Sequence, residues 1–340
     1  MDWGFIEATP NPQGAAERLW LLAEGAAGGP PARARPPASR LRLFHSNDLH
    51  ARFLELDAVA PPAPRFGRYA AAVAAAREAA GPDEAVLFVS GGDDHVGTVL
   101  DELTGWTDAE FVMDPAFRLL SAGGLDASAI GNHDFDRGAA VLARGTAEAK
   151  FPLLAGNLGW EHATPAALLE AKGLRVGLIG LITESDTRSR PEIALSDPAA
   201  ALAALAPVVG AEADVLILLS HCGRHVDVDL APILAERSPC PAIIVGAHTH
   251  HVLNPRGLEP ENLVAGVPIL QAGCKSAFIG EALWRADGPR ESAGLVGCRL
   301  IPLEEAPAPR PEDEAAAAPV IAALGDRLRD PIGEIEGDAG

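Results

Sequence analysis

Five polar clusters in this chain each follow an apolar, strand-like run, and each carries side chains able to bind a cation. They read Ser46-Asn47-Asp48-Leu49-His50, Gly91-Gly92-Asp93, Gly131-Asn132-His133-Asp134, Ser220-His221 and Gly246-Ala247-His248-Thr249-His250. Open α/β sheets gather ligands at the carboxyl ends of their strands, so five such exits can share one edge. Asp48 and His50 lie two residues apart, which puts both side chains on one side of an extended segment. The paired glycines before Asp93 allow the sharp turn that delivers a carboxylate able to touch two ions at once. One carboxylate (Asp48), one amide (Asn132) and four imidazoles (His50, His221, His248 and His250) around a central Asp93 form a ligand set for two divalent ions sharing a bridge. A lone histidine at a strand end is ordinarily a hydrogen-bonded structural residue; five converging exits argue for a site instead. The donors are nitrogen and oxygen without thiolate, which admits manganese, zinc, iron or cobalt.

The elements that must position these groups follow from hydrophobic period and end signals. Strands are expected at Leu41 to Ser46, from Val86 toward Gly91, at Leu125 to Ile130, Pro152 to Ala155, Leu174 to Ile182, Val215 to Leu219 and Ala242 to Val245. Helical patterns run from Phe66 to Ala80, Asp114 to Ser121, Ala139 to about Ala149, Pro198 to Gly210 behind an Asp197 cap, and Val226 to Arg237. Leu263 to Leu303 alternates short apolar strands with Gly-bearing turns and suggests a second sheet. Residues 1–40 read as an extension, with a short helical pattern at Ala15 to Ala26 docked through Trp20 and then a Gly/Pro/Ala/Arg linker. Residues 41–303 form the main domain, and 304–340 read as a Pro/Ala/acidic linker with a helix at Val320 to Arg329.

A chain of 340 residues that is 48% hydrophobic supports a packed core in one large domain or two modest ones. The formal net charge of -20 argues against nucleic acid and anionic membrane as partners, although a local cationic metal site could still hold a phosphate. No export signal is visible at the start and no apolar run approaches the ~20 residues of a membrane span, so a cytoplasmic location is expected. Cys222, Cys240, Cys274 and Cys298 lack CxxC spacing and read as free thiols; Cys222, beside His221, reads as structural rather than as a ligand.

The blocks DLH, GGD, GNHD, SH and GAHTH, in this order, resemble the signature of the calcineurin-like metallophosphoesterases. The similarity is greatest to the 5'-nucleotidase branch, whose GNH block runs on to an acidic residue, Phe and Asp, as GNHDFD does here; it spans Leu41 to Trp284. It implies a four-layer α/β/β/α sandwich of two mixed sheets flanked by helices. It also implies that Asp48, His50 and His250 hold one metal, that Asn132, His221 and His248 hold the other, and that Asp93 bridges them. His133 and Asp136 match the family's catalytic dyad. The spacing of these two suits a loop hydrogen bond; the lesser alternative is that Asp136 simply caps the helix from Ala139. Asp134 stands where the branch usually has Glu, and no direct role is expected for it.

The implied activity is hydrolysis of phosphate esters by a hydroxide bridging two ions, with nucleotide monoesters as the leading substrates. A cyclic-nucleotide phosphodiesterase, a nucleotide-sugar pyrophosphatase and a non-catalytic metal-binding scaffold are the alternatives. Relatives in this branch carry a further carboxyl-terminal domain that holds the nucleobase, for which this chain shows few substitutes. Among nearby residues, His95 could line the entrance or sit exposed in its loop, and Asp94 could support a ligand or be acidic surface. His225 and His251 read as surface or supporting groups. Arg188, Arg190 and Arg224 could pair with a phosphate or remain solvated.

Overall fold

The protein is described by a computed structural model covering residues 3–26, 28–32, 37–56, 62–185, 193–286 and 294–327. In chain order, β1 (Trp3–Ala8) and β2 (Arg18–Glu24) precede β3 (Arg40–Ser46), β4 (Glu84–Ser90), β5 (Ala127–Ala129) and β6 (Leu153–Leu154). Then come β7 (Ala166–Ala171), β8 (Leu174–Ile182), β9 (Val215–His221), β10 (Ala242–Gly246), β11 (Leu263–Val264), β12 (Val267–Leu270), β13 (Phe278–Arg285) and β14 (Gly294–Pro302). Among the described residues, the two large sheets have eight strands in the order β1-β2-β7-β8-β9-β10-β12-β11 and six in the order β14-β13-β3-β4-β5-β6, beside two small two-stranded ones. Both large sheets are mixed. β8, β9, β10 and β12 run parallel, as do β3 to β6, while the outer strands pair antiparallel. Parallel centres send their carboxyl ends to one edge, and the five polar clusters leave from it.

The helices are α1 (Phe66–Ala79), α2 (Pro115–Ala122), α3 (Ala139–Gly145), α4 (Pro198–Glu212), α5 (Arg224–Arg237) and α6 (Pro311–Arg327). Side-chain alternation explains why central strands are apolar throughout. In β9, Ile217 and Leu219 enter the layer between the sheets, where they join Leu43, Leu87, Val89 and Val245. Leu216 and Leu218 point the other way, onto Leu205 and Val209 of α4 and Leu230 and Leu234 of α5. Across the molecule, Phe44 and Phe88 of the six-stranded sheet pack with Phe66, Tyr69 and Val73 of α1 and with α2 and α6. Three apolar layers thus separate helix, sheet, sheet and helix, which is the four-layer sandwich expected. Asp197 caps α4, its Oδ1 accepting the Ala200 amide at 2.7 Å, with Pro198 in the first turn.

Three expectations change. The Ala15–Ala26 pattern forms no helix: β2 occupies Arg18–Glu24 and pairs with β1 and β7. Leu19-Trp20-Leu21-Leu22 is a continuous apolar run without helical period, and here Leu19 faces the layer between the sheets while Leu22 faces the α4 side. The run from Leu263 divides: β12 joins the eight-stranded sheet through β10, and β13 with β14 joins the six-stranded one through β3. The last helix starts at Pro311, inside the stretch read as linker. Glu312, Asp313 and Glu314 suit its amino-terminal dipole, and Ala317, Val320 and Leu324 bury one face. No described helix is long and apolar enough to cross a membrane.

Candidate metal centre

Three of the five strand exits place their donors by unusual backbone turns. Asp48, His50, Asp93, His248 and His250 all take positive φ, between 48° and 71°. Such conformations cost non-glycine residues on the order of 1–3 kcal/mol each and persist where the surrounding structure fixes them. Here hydrogen bonds do so. The Asp48 amide donates to Gly92 O at 2.9 Å and the His50 amide to Asp93 O at 3.0 Å, so the first two exits hold each other. Gly131 is required beside them, because a Cβ there would lie 2.0 Å from Asp93 Oδ1.

The structure gathers Asp48, His50 and His250 into one group and Asp93, His221 and His248 into another, each with donor atoms within 4.8 Å of one another. His250 Nε2 lies 3.3 Å from Asp48 Oδ1 and 3.2 Å from His50 Nε2. His221 Nε2 lies 3.0 Å from Asp93 Oδ2 and 3.9 Å from Asp48 Oδ1, so the two groups adjoin. Asn132 Oδ1 is 3.0 Å from His248 Nδ1, which brings the amide to the second group.

The donor set fits cations. His221 Nδ1 donates to Gly91 O at 2.8 Å, whereas its buried Nε2 is close to Asp93 without hydrogen-bond geometry. His50 Nδ1 likewise bonds Val96 O at 3.1 Å, turning Nε2 toward His250. Anchoring one ring nitrogen on a carbonyl is how proteins aim the other at a metal. Burial disfavours a charged His221, but Asp93 and Asp48 overcome it and raise the imidazole to about 10. Burial also opposes the Asp48 carboxylate; His250, His221 and Asn47 outweigh it and hold Asp48 below the ordinary range.

His133 and Asp136 form a pair at the rim. His133 Nδ1 is 2.7 Å from Asp136 Oδ2, and the His133 ring centroid lies 5.4 Å from that of His50. The Asp136 hydrogen bond raises the His133 pKa, partly offset by burial and assisted by Asp93. The His133 amide also donates to Asp93 Oδ1 at 2.8 Å. The capping alternative does not describe Asp136: α3 starts at Ala139, and its cap position is Gly138, with no side-chain cap.

Several supporting residues carry more than their sequence context suggested. Asp134 is buried, and its two oxygens accept the amides of Asp93, Asp94, His95 and Gly131 at 3.2, 3.1, 3.2 and 2.8 Å. His95 adds a further bond to it at 2.8 Å, and although burial opposes the charge, these donors hold Asp134 at about 2. His95 is therefore neither exposed nor at the entrance; its other nitrogen meets Asp114, the cap of α2, at 2.9 Å. Burial disfavours its charge, yet the two carboxylates raise its pKa well above normal. Asp94 is equally buried, bonded by Ser90 and Ser128 and pushed by burial to about 7. Asn47 was missed altogether. Its Nδ2 donates to Asp48 Oδ2 at 2.6 Å and to Gly273 O at 2.7 Å, a role its place inside Ser46-Asn47-Asp48 could have flagged.

The remaining candidates stand apart. Arg224 donates to Glu261 O and Asn262 Oδ1, His225 is exposed, and exposed His251 meets Thr249 at 2.8 Å. Arg188 and Arg190 lie outside the described residues. Cys222 is buried with its thiol pushed up by burial, and all four cysteines are free.

The calcineurin-like phosphoesterase model matches residues 41–252, which is most of the chain and contains every donor above. The chain belongs to that family. The family is one of phosphoesterases. It is 31% identical over 238 residues to the protein UshA of Escherichia coli K12, covering 62% of this chain and 40% of that protein. It is 31% identical over 254 residues to a 5'-nucleotidase of Vibrio cholerae, covering 66% and 42%. The chain thus spans less than half the length of these two relatives. Among solved structures, a 5'-nucleotidase precursor of Thermus thermophilus superposes with a TM-score of 0.65 at 25% identity, over 85% of this chain and 59% of that one. The fold also matches YfkN of Bacillus subtilis with a TM-score of 0.66 at 18% identity, over 86% of this chain and 100% of that one.

Proposed function

We propose that this chain hydrolyses phosphate monoesters with two divalent cations and that its substrates are nucleotides. The observation that carries the reading is the pair of adjoining donor groups, Asp48/His50/His250 and Asp93/His221/His248, with His221 Nε2 3.0 Å from Asp93 and 3.9 Å from Asp48. Two ions held there would polarise the phosphoryl oxygens and acidify a shared water. The protein's own groups supply the rest. Asn132 and the anchored imidazoles fix the donor directions, and the Asp48 and Asp93 carboxylates balance the cations' charge. Asp136 holds a proton on His133 Nδ1 and favours the imidazolium, a form suited to stabilise and protonate a departing alkoxide. The nucleotide preference is supported by the relatives named 5'-nucleotidase.

The test is phosphate release from adenosine monophosphate by the manganese-loaded protein, against the same sample stripped with chelator. Release above the stripped control is expected. Its absence overturns the reading, and cleavage of a cyclic nucleotide in place of the monophosphate would reassign the protein to diesters.

A further inference from the structure

The excursion between β4 and α2, residues 96–113, presents Trp106 to solvent with 62% of its surface exposed. This ring is not loose. The Arg137 guanidinium carbon sits 3.9 Å from the indole centroid, covering one face. Arg137 is itself only 12% exposed along its side chain; its Nη2 lies 3.6 Å from Glu102 Oε1, and it lines a small cavity with Asp101, Asp114 and Asp134, so the cation under the ring sits in acidic surroundings. The excursion is anchored independently of Trp106. Leu100 and Leu103 are fully buried, Asp101 accepts the Gly97 amide at 2.8 Å, and Arg144 of α3 pairs with Asp108 and lies 4.9 Å from the Phe111 ring. The indole is therefore not needed to hold the loop, and its second face is left open.

Its position bears on the reaction. Arg137 directly follows Asp136, which is 2.7 Å from His133, and the excursion starts at Val96, whose carbonyl accepts from His50. The indole is thus connected to the rim pair through its contact with Arg137 and the Asp136–Arg137 peptide bond. A flat, rigid π surface whose orientation is set in advance binds another flat π system at little entropic cost. Of the parts of a nucleotide, only the base has such a face.

We propose that Trp106, backed by Arg137, is the stacking platform for the nucleobase of a substrate whose phosphate lies at the metal centre. The proposal rests on the nucleotide reading above. It is tested by calorimetric binding of adenosine, which has the base without the phosphate, to the manganese-loaded protein and to Trp106→Ala and Trp106→Phe. Adenosine is expected to bind the unaltered chain, about tenfold more weakly after Trp106→Ala, in keeping with the loss of one stacked base. Trp106→Phe should restore most of the loss. Equal affinity in Trp106→Ala and the unaltered chain, or no binding to the unaltered chain, overturns the platform. Hydrolysis of glycerol phosphate, which has no ring, is followed in the unaltered protein alongside. Failure there strikes the hydrolase reading, whereas hydrolysis without adenosine binding strikes the platform alone.

Discussion

The two sheets contribute different chemistry to the same centre. Exits of the six-stranded sheet supply Asp48, His50, Asp93 and Asn132, which include every oxygen donor, while exits of the eight-stranded sheet supply only imidazoles, His221, His248 and His250. Each donor group mixes the two: Asp48 and His50 meet His250, and Asp93 meets His221 and His248. Their support differs as well. The six-stranded side is braced by the Asp134, His95 and Asp114 network and by Asn47, whereas His221 and His248 reach across to Gly91 O and to the Asp48 carboxylate. A cation bound here is a staple between sheets, so metal affinity and sheet packing are linked.

The largest expected effect comes from Asp93, the residue proposed to bridge the two cations. Asp93→Asn should lower turnover by about a thousandfold or more and reduce bound metal, as read by steady-state kinetics and elemental analysis. Wild-type metal content in that variant would remove Asp93 from the bridge. Next come two core truncations of similar cost. Leu219→Ala, between the sheets, and Leu230→Ala, under α5, should each destabilise the fold by about 2–5 kcal/mol in urea titrations. Only Leu219→Ala should also weaken manganese binding, by about tenfold. Equal affinities in the two variants would uncouple the centre from the packing between sheets.

How much of this was legible in the sequence depends on whether the signal was local. The donor types at Asp48, Asp93, Asn132, His221 and His248 stood directly behind apolar runs, so their exits could be found without coordinates. Helices such as Pro198–Glu212 carried their own cap and first-turn proline. Leu19 to Leu22 had no such marker, and a partner far along the chain, in β7, decided its conformation. His95 was misread for the same reason: its partners, Asp114 and Asp134, lie 19 and 39 residues away. The positive φ angles of five donors left no trace in composition, because none of these positions is glycine.

A smaller effect separates the helix side of the eight-stranded sheet from its metal edge. Asp227 of α5 is fully buried, accepts from Ser220 at 2.5 Å, and is pushed by burial to about 7. Its folded pKa lies above the unfolded one, so its contribution to stability should be greatest below pH ~4, fall as pH rises toward 7 and level off beyond. Asp227→Asn should make the decline in urea midpoints between pH 5 and pH 8, with chelator present, shallower than in the unaltered protein. An unchanged slope would mean that the burial penalty is relieved elsewhere.

Two cation sites, each built across the sheets, are the core of the proposed chemistry. Manganese bound per chain, counted after dialysis in the unaltered protein and in His250→Ala, tests for them. The expected result is two ions per chain, falling to one when His250 is removed from the Asp48 group. One ion in the unaltered protein, or two retained in His250→Ala, would contradict it.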